Sequence, residues 1–130
     1  MTSTNPFLLI ARIGVKENMI EEYLAIAEEV DNAVQESEPG MLFHNFDKDP
    51  DDPLGFVWSE VYTDSEALIV HINNPPVQAY VKKHDELADT FEIEVYGNLS
   101  EDAIAAVKAL EVPFKHFKST DVGYVREENF

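Results

Sequence analysis

Apolar residues fall along the chain in blocks of changing period, and each period predicts an element. Phe7 to Gly14 is almost continuously apolar through Phe7, Leu8, Leu9, Ile10 and Ala11, which predicts a strand covered on both faces. From Glu17 to Ser37 the residues Ile20, Tyr23, Leu24, Ala27, Val30 and Val34 recur at helical spacing, with Glu21, Glu22, Glu28, Glu29, Asp31 and Glu36 on the other sides. That is a long amphipathic helix, with Glu17 in its first turn and Pro39-Gly40 ending it. Met41 to Lys48 and Gly55 to Thr63 read as two strands of an antiparallel hairpin. The Asp- and Pro-rich run Asp47–Pro53 supplies the turn. His44 shares a strand face with Leu42 and Phe46, and Asn45 points the other way. Phe56, Trp58, Glu60 and Tyr62 share one face of the next strand, and Val57, Ser59 and Val61 the other.

Asp64 is placed to cap a short helix through Ile72. Asn73-Asn74-Pro75-Pro76 interrupts it, and proline suits the first turn of the helix that follows to about Leu87. Thr90 to Leu99 reads as a fourth strand, with Phe91, Ile93, Val95 and Leu99 on one face. Ser100 then caps a helix carrying Ile104, Val107 and Leu110, and Val112 to Lys118 reads as one more short strand. Ser119 to Phe130 reads as a tail. The order strand, helix, strand, strand, helix, strand is the split β-α-β unit of a ferredoxin-like fold, an α+β class with an antiparallel sheet. Residues 1–99 form that domain, and residues 100–130 form an extension packed on it or on a partner subunit. Helices on one sheet face leave the other needing cover, and a second copy of the sheet is the economical cover, so a homodimer is expected.

Composition narrows the function. The chain of 130 residues fits one domain. A net charge of −17 with only nine Lys and Arg opposes binding to nucleic acid or to an anionic membrane surface. No cysteine is present, so disulfides, thiolate metal sites and a cysteine nucleophile are excluded. The polar start Met1–Pro6 lacks a signal-peptide pattern, and no apolar run nears the ~20 residues a spanning helix needs. A soluble, cytoplasmic protein is expected.

Four segments in order carry a family resemblance: Glu38-Pro39-Gly40-Met41-Leu42, Asp49-Pro50-Asp51-Asp52-Pro53, Glu60-Val61-Tyr62 followed by Ser65-Glu66-Ala67-Leu68 and His71, and Val77-Gln78-Ala79-Tyr80. Together they resemble the antibiotic biosynthesis monooxygenase family over roughly residues 7 to 98. The resemblance implies a dimeric α+β barrel with a pocket for small, often aromatic, molecules. Activities implied by the superfamily include cofactor-free oxygenation of quinols and anthrones, haem degradation, and isomerisation of small carbonyl compounds. Fold likeness alone does not choose among them.

Two residues are candidates for catalysis. His71, on a short helix where the family pattern has its histidine, could act as acid or base; the blander reading is a packing or capping histidine. Glu60, among Phe56, Trp58 and Tyr62, could have a raised pKa and accept a substrate proton; the blander reading is a glutamate paired with a cation. His44, Trp58 and Tyr62 are candidates for substrate binding, His44 by hydrogen bonding and the two aromatics by stacking, with core packing as their alternative. Asp47, Asp49 and Asp51 resemble part of a calcium loop but lack its glycine and its distant glutamate, so a turn is preferred.

Lys115, His116, Lys118 and Arg126 gather scarce positive charge near the C-terminus, suited to an anionic substrate or, preferably, an acidic patch on a partner subunit. There is no nucleotide fingerprint, phosphate loop or compact His-carboxylate group, so neither cofactor nor metal is expected. For haem degradation the resemblance puts the proximal histidine about where Val81 stands; His84 lies nearly one turn on.

Three functions compete. One is a cofactor-independent monooxygenase acting on a small electron-rich aromatic of the quinol or anthrone type. The second is an isomerase or lyase acting on a small carbonyl compound. The third is a non-catalytic dimer that binds a small molecule.

Overall fold

The computed structural model describes residues 5–120 and 122–130; residues 1–4 of the polar start and residue 121 in the tail lie outside the described residues. Strands β1 (Phe7–Val15), β2 (Met41–Lys48), β3 (Gly55–Tyr62), β4 (Ala88–Tyr96) and β5 (Phe114–Phe117) form one sheet in the order β2-β3-β1-β4-β5. All neighbours are antiparallel except β4 and β5. Helices α1 (Ile20–Ser37), α2 (Ser65–Asn73), α3 (Pro75–Leu87) and α4 (Glu101–Lys108) complete an α+β, ferredoxin-like arrangement. None of the described helices is long and apolar enough to cross a membrane.

Local chemistry sets the boundaries. Helix α1 starts later than its apolar period predicts, because Asn18 takes a left-handed φ of 70° and leaves Glu17 outside. The Asp64 carboxylate accepts from the Ala67 N–H at 2.9 Å and caps α2. Asn74, ahead of Pro75, is extended and separates α2 from α3. Strand β4 stops at Tyr96 rather than reaching Leu99. Gly97 follows at φ 138°, and a Cβ there would stand 2.5 Å from the Phe7 Cβ, so only glycine fits the turn. The Asp47–Pro53 run is a turn: Asp49 Oδ1 accepts from the Asp51 N–H and Asp52 Oδ1 from the Leu54 N–H.

The helices cover one sheet face. There Phe7, Leu9, Ala11, Ile13 and Val15 of β1 pack with Tyr23, Ala27, Val30 and Val34 of α1 in the buried core. Fully burying each large apolar side chain contributes roughly 1.5–3 kcal/mol. The expectation that β1 is covered on both faces is corrected for the single chain. Leu8 is 36% exposed, and with Ile10 it belongs to an open face shared with Val57, Val61, Phe43, Tyr96 and Phe117.

Strand β2 carries a second correction. Its register shifts between Met41 and Phe43, which leaves Leu42 without a cross-strand partner. Met41 therefore stands opposite Tyr62, and Met41 joins His44 and Phe46 on the covered face in place of Leu42. Beyond β4, the Ser100 hydroxyl caps α4, and β5 adds a parallel edge strand. Residues 118–120 and 122–126 are exposed, and a short 3₁₀ turn lies at Glu127–Asn129.

Candidate active site

Between the sheet and the helices lies a cavity of about 380 Å³. His71, Glu60, His44, Trp58 and Tyr62 all line it, from α2, β3 and β2. Most of the remaining wall is apolar, from Leu9, Ala11, Leu68, Val77 and Ile93, while Gln78 and Lys82 come from α3. Val107 and Leu110 complete it from α4 and the turn after it, so the segment after residue 100 walls its own chain's cavity.

The polar side chains form two groups. In the first, His71 Nδ1 lies 2.9 and 3.1 Å from the two carboxylate oxygens of Glu38. The Asn74 amide donates to Glu38 Oε2 at 2.8 Å, so this carboxylate serves as acceptor and the proton sits on His71 Nδ1. That fixes the tautomer and leaves Nε2 as the free lone pair. Every fully buried side-chain nitrogen and oxygen among the described residues has a partner, and Nε2 has none, so Nε2 is accessible. The carboxylate that orients the ring, Glu38, is itself only 4% exposed.

The second group is a chain from α1 to β3. Asp31 Oδ1 accepts from His44 Nδ1 at 2.8 Å, and His44 Nε2 faces Glu60 Oε2 at 3.5 Å. The Tyr62 hydroxyl donates to Glu60 Oε1 at 2.5 Å. Burial pulls the His44 pKa down, but the Glu60 and Asp31 carboxylates outweigh it and hold the imidazole above its usual value. Burial pushes Glu60 up, yet His44, the nearby His71 and the Tyr62 hydroxyl outweigh that and hold Glu60 below the usual carboxylate range. The expected raised pKa of Glu60 is thus corrected: the aromatics beside it on β3 count for less than the histidines facing it. Burial and the adjacent carboxylate push the Tyr62 hydroxyl well above its usual range, which keeps it a donor.

The aromatic rings form walls with occupied surfaces. Trp58 stacks with His44 at 4.3 Å and packs against Phe46 at 4.4 Å, and Tyr62 stacks on Phe7 at 5.3 Å. At the haem-ligand position Val81 lines the cavity, while His84 is 3% exposed and lies outside the cavity lining, which counts against the shifted-register ligand. Of the C-terminal cations, Lys115 sits over Phe117, Arg126 over Tyr124, and His116 bonds the Gly97 carbonyl.

Among the described residues the buried polar or charged ones are Glu38, Glu60 and His84; the sequence pointed to a catalytic role for Glu60 alone and to His84 only as a shifted-register haem position. Glu38 reads as part of the entry to β2, Asp31 as solvated helix surface and Asn74 as a helix break. One signal was available: pairing the hairpin outward from its turn sets His44 opposite Glu60.

A family model described as antibiotic biosynthesis monooxygenase matches residues 6–83. The uncharacterized Synechocystis protein sll1783 is 30% identical over 93 residues, covering 71% of this chain. The chain spans 63% of that relative's length. A Bacteroides thetaiotaomicron structure bearing the antibiotic biosynthesis monooxygenase name is 25% identical with a TM-score of 0.64, over 68% of this chain and 85% of that one. Rv0793 of Mycobacterium tuberculosis shares the fold at 22% identity and a TM-score of 0.66, over 74% and 97% of the two chains. By the span of the match and the order of its elements, the chain belongs to the antibiotic biosynthesis monooxygenase family.

Proposed function

We propose that the protein is a cofactor-independent monooxygenase acting on a small electron-rich aromatic of the quinol or anthrone type. The observation that carries this reading is the Glu38-oriented His71, whose Nε2 is left free at the wall of a largely apolar cavity. An oriented base beside an apolar pocket is what such chemistry asks of a protein. His71 Nε2 takes the proton from the substrate, and the substrate anion passes one electron to O2. The radical pair combines into a peroxide, which the His71 imidazolium protonates. Loss of water then leaves a carbonyl: anthrone plus O2 gives anthraquinone plus water, and a hydroquinone plus O2 gives a hydroxyquinone plus water. In this reading Glu60 keeps its charge through His44, so it shapes the field at the ring while His71 moves the proton. Oxygen uptake by metal-stripped protein against a panel of quinols and anthrones should exceed their autoxidation. Turnover of a small carbonyl substrate without oxygen would instead favour the isomerase.

The open sheet face is covered in this reading by a second copy of the chain, in the cytoplasm. Leu8, Phe43, Tyr96 and Phe117 are each more than a third exposed and share that face, which is a large apolar patch for a monomer. The domain proper is residues 1–99, and residues 100–130 extend it. Sedimentation equilibrium should give twice the chain mass of 14.7 kDa. A monomer at micromolar concentration would remove the partner.

A further inference from the structure

Behind the cavity wall a second polar chain leads away from His71 and Glu60. Trp58 Nε1–H donates to the Tyr80 hydroxyl at 2.9 Å, the Tyr80 and Tyr23 hydroxyls are hydrogen-bonded, and Tyr23 reaches His84 Nδ1 at 2.7 Å. All four side chains are buried, and the mechanism above uses none of their protons. Trp58 and Tyr80 line the cavity; Tyr23 and His84 do not.

Proton counting allows this chain two directions. With His84 neutral and Nδ1 an acceptor, Tyr23 donates to His84, Tyr80 donates to Tyr23, and no hydroxyl proton is left for the cavity. With His84 doubly protonated, Nδ1–H donates to Tyr23 and Tyr23 donates to Tyr80. Tyr80 already accepts from Trp58, so its own proton must then turn to the cavity.

We propose that Tyr80 is a ligand-contacting donor, and that His84, acting through Tyr23, decides whether that hydroxyl proton points into the cavity. The matching ligand atom is an acceptor such as a quinone or ketone oxygen, so this inference rests on the aromatic carbonyl reading of the cavity. Tyr80 would be the contact, with Tyr23 and His84 as positioning residues. The groups facing His84 are Tyr23 from α1, Tyr80 and Asp85 from α3, and the Thr90 backbone carbonyl and Phe91 ring from β4. Burial holds His84 below its usual value despite Asp85, and burial holds both tyrosines above theirs. The neutral direction therefore dominates at neutral pH and the cavity-facing one grows in acid.

The test is binding rather than turnover. Trp58 is the chain's one tryptophan, and there is no cysteine for a quinone to alkylate. Quenching of Trp58 by 1,4-naphthoquinone is followed at about pH 7.5 and in steps down to about pH 4.5, since the depressed His84 takes its second proton below the ordinary imidazole range. The gain in affinity on acidification should be about fivefold larger in the wild type than in Tyr23→Phe or His84→Gln, the worth of one hydrogen bond. Naphthalene, which has no acceptor, should show no such difference. In the wild type at neutral pH, nitrogen NMR should find His84 protonated on Nε2 only. Equal pH dependence in wild type and Tyr23→Phe, or a proton on Nδ1 at neutral pH, overturns this inference and leaves the oxygenase reading standing. Failure of naphthoquinone to bind at any of these pH values overturns both.

Discussion

His71→Ala is expected to lower kcat for the protein's aromatic substrate by about 10²–10⁴-fold, the usual worth of a positioned general base. KM should move far less, since the cavity's apolar wall is untouched. Glu38→Gln separates base from scaffold. It keeps the size of the side chain but removes the charge facing His71 Nδ1, and its amide can present N–H where an acceptor is needed. The ring then loses both its fixed tautomer and the partner that stabilises its protonated form, so a fall of at least about 10²-fold is expected. Asn74 donates to the same carboxylate, so Asn74→Ala should act in the same direction but more weakly. The measurement is initial rate in a sealed oxygen cell with folding checked by circular dichroism. Wild-type turnover in folded Glu38→Gln would remove the dyad from the mechanism, and wild-type turnover in His71→Ala would remove His71 as base.

The features legible in the sequence are those set by local period. Alternation on β3 put Trp58, Glu60 and Tyr62 on one face, and the helical stripe of Ile20, Tyr23, Leu24, Ala27, Val30 and Val34 named the core side of α1, except that Leu24 is 44% exposed. Cap chemistry at Asp64 and Ser100 placed two helix starts. What stayed hidden depends on contact across the fold. Glu38 meets His71 over 33 residues of chain, and Asp31 meets His44 only because α1 packs beside β2. Asp31 does not differ in its neighbours along the chain from the solvated glutamates of α1, and Glu38, ahead of Pro39-Gly40, shows there only a turn into β2. The bulge at Leu42 was hidden for the same reason, since a slip of one residue shows only against the partner strand. Tyr80 and His84 lie one turn apart on α3, a spacing that packing and function share. Their bonds to Tyr23 show only once α1 is packed against α3.

The His44–Glu60 pair should make stability depend on pH in a bell, and the signs fix where its top lies. His44 is raised in the folded protein, so its contribution is fully present below the unfolded imidazole value of 6.5 and is lost as pH climbs through the folded one. Glu60 is lowered, so its contribution is fully present above the unfolded value of 4.5 and is lost as pH falls through the folded one. The pair is therefore at full strength between pH 4.5 and 6.5. His44→Gln leaves the Glu60 carboxylate buried with Tyr62 and without its facing cation, which should cost on the order of 3 kcal/mol inside that window. Outside it the cost shrinks, because the pair no longer contributes in the wild type and a protonated Glu60 needs no counterion. The double variant His44→Gln, Glu60→Gln should cost less than the two single changes together, since it strands no charge. Urea unfolding of the four proteins across the pH range measures each term, with the m-value checking that two-state behaviour holds. A His44→Gln penalty that stays constant with pH would mean that packing of the ring on Trp58, rather than its charge, holds this corner of the cavity together.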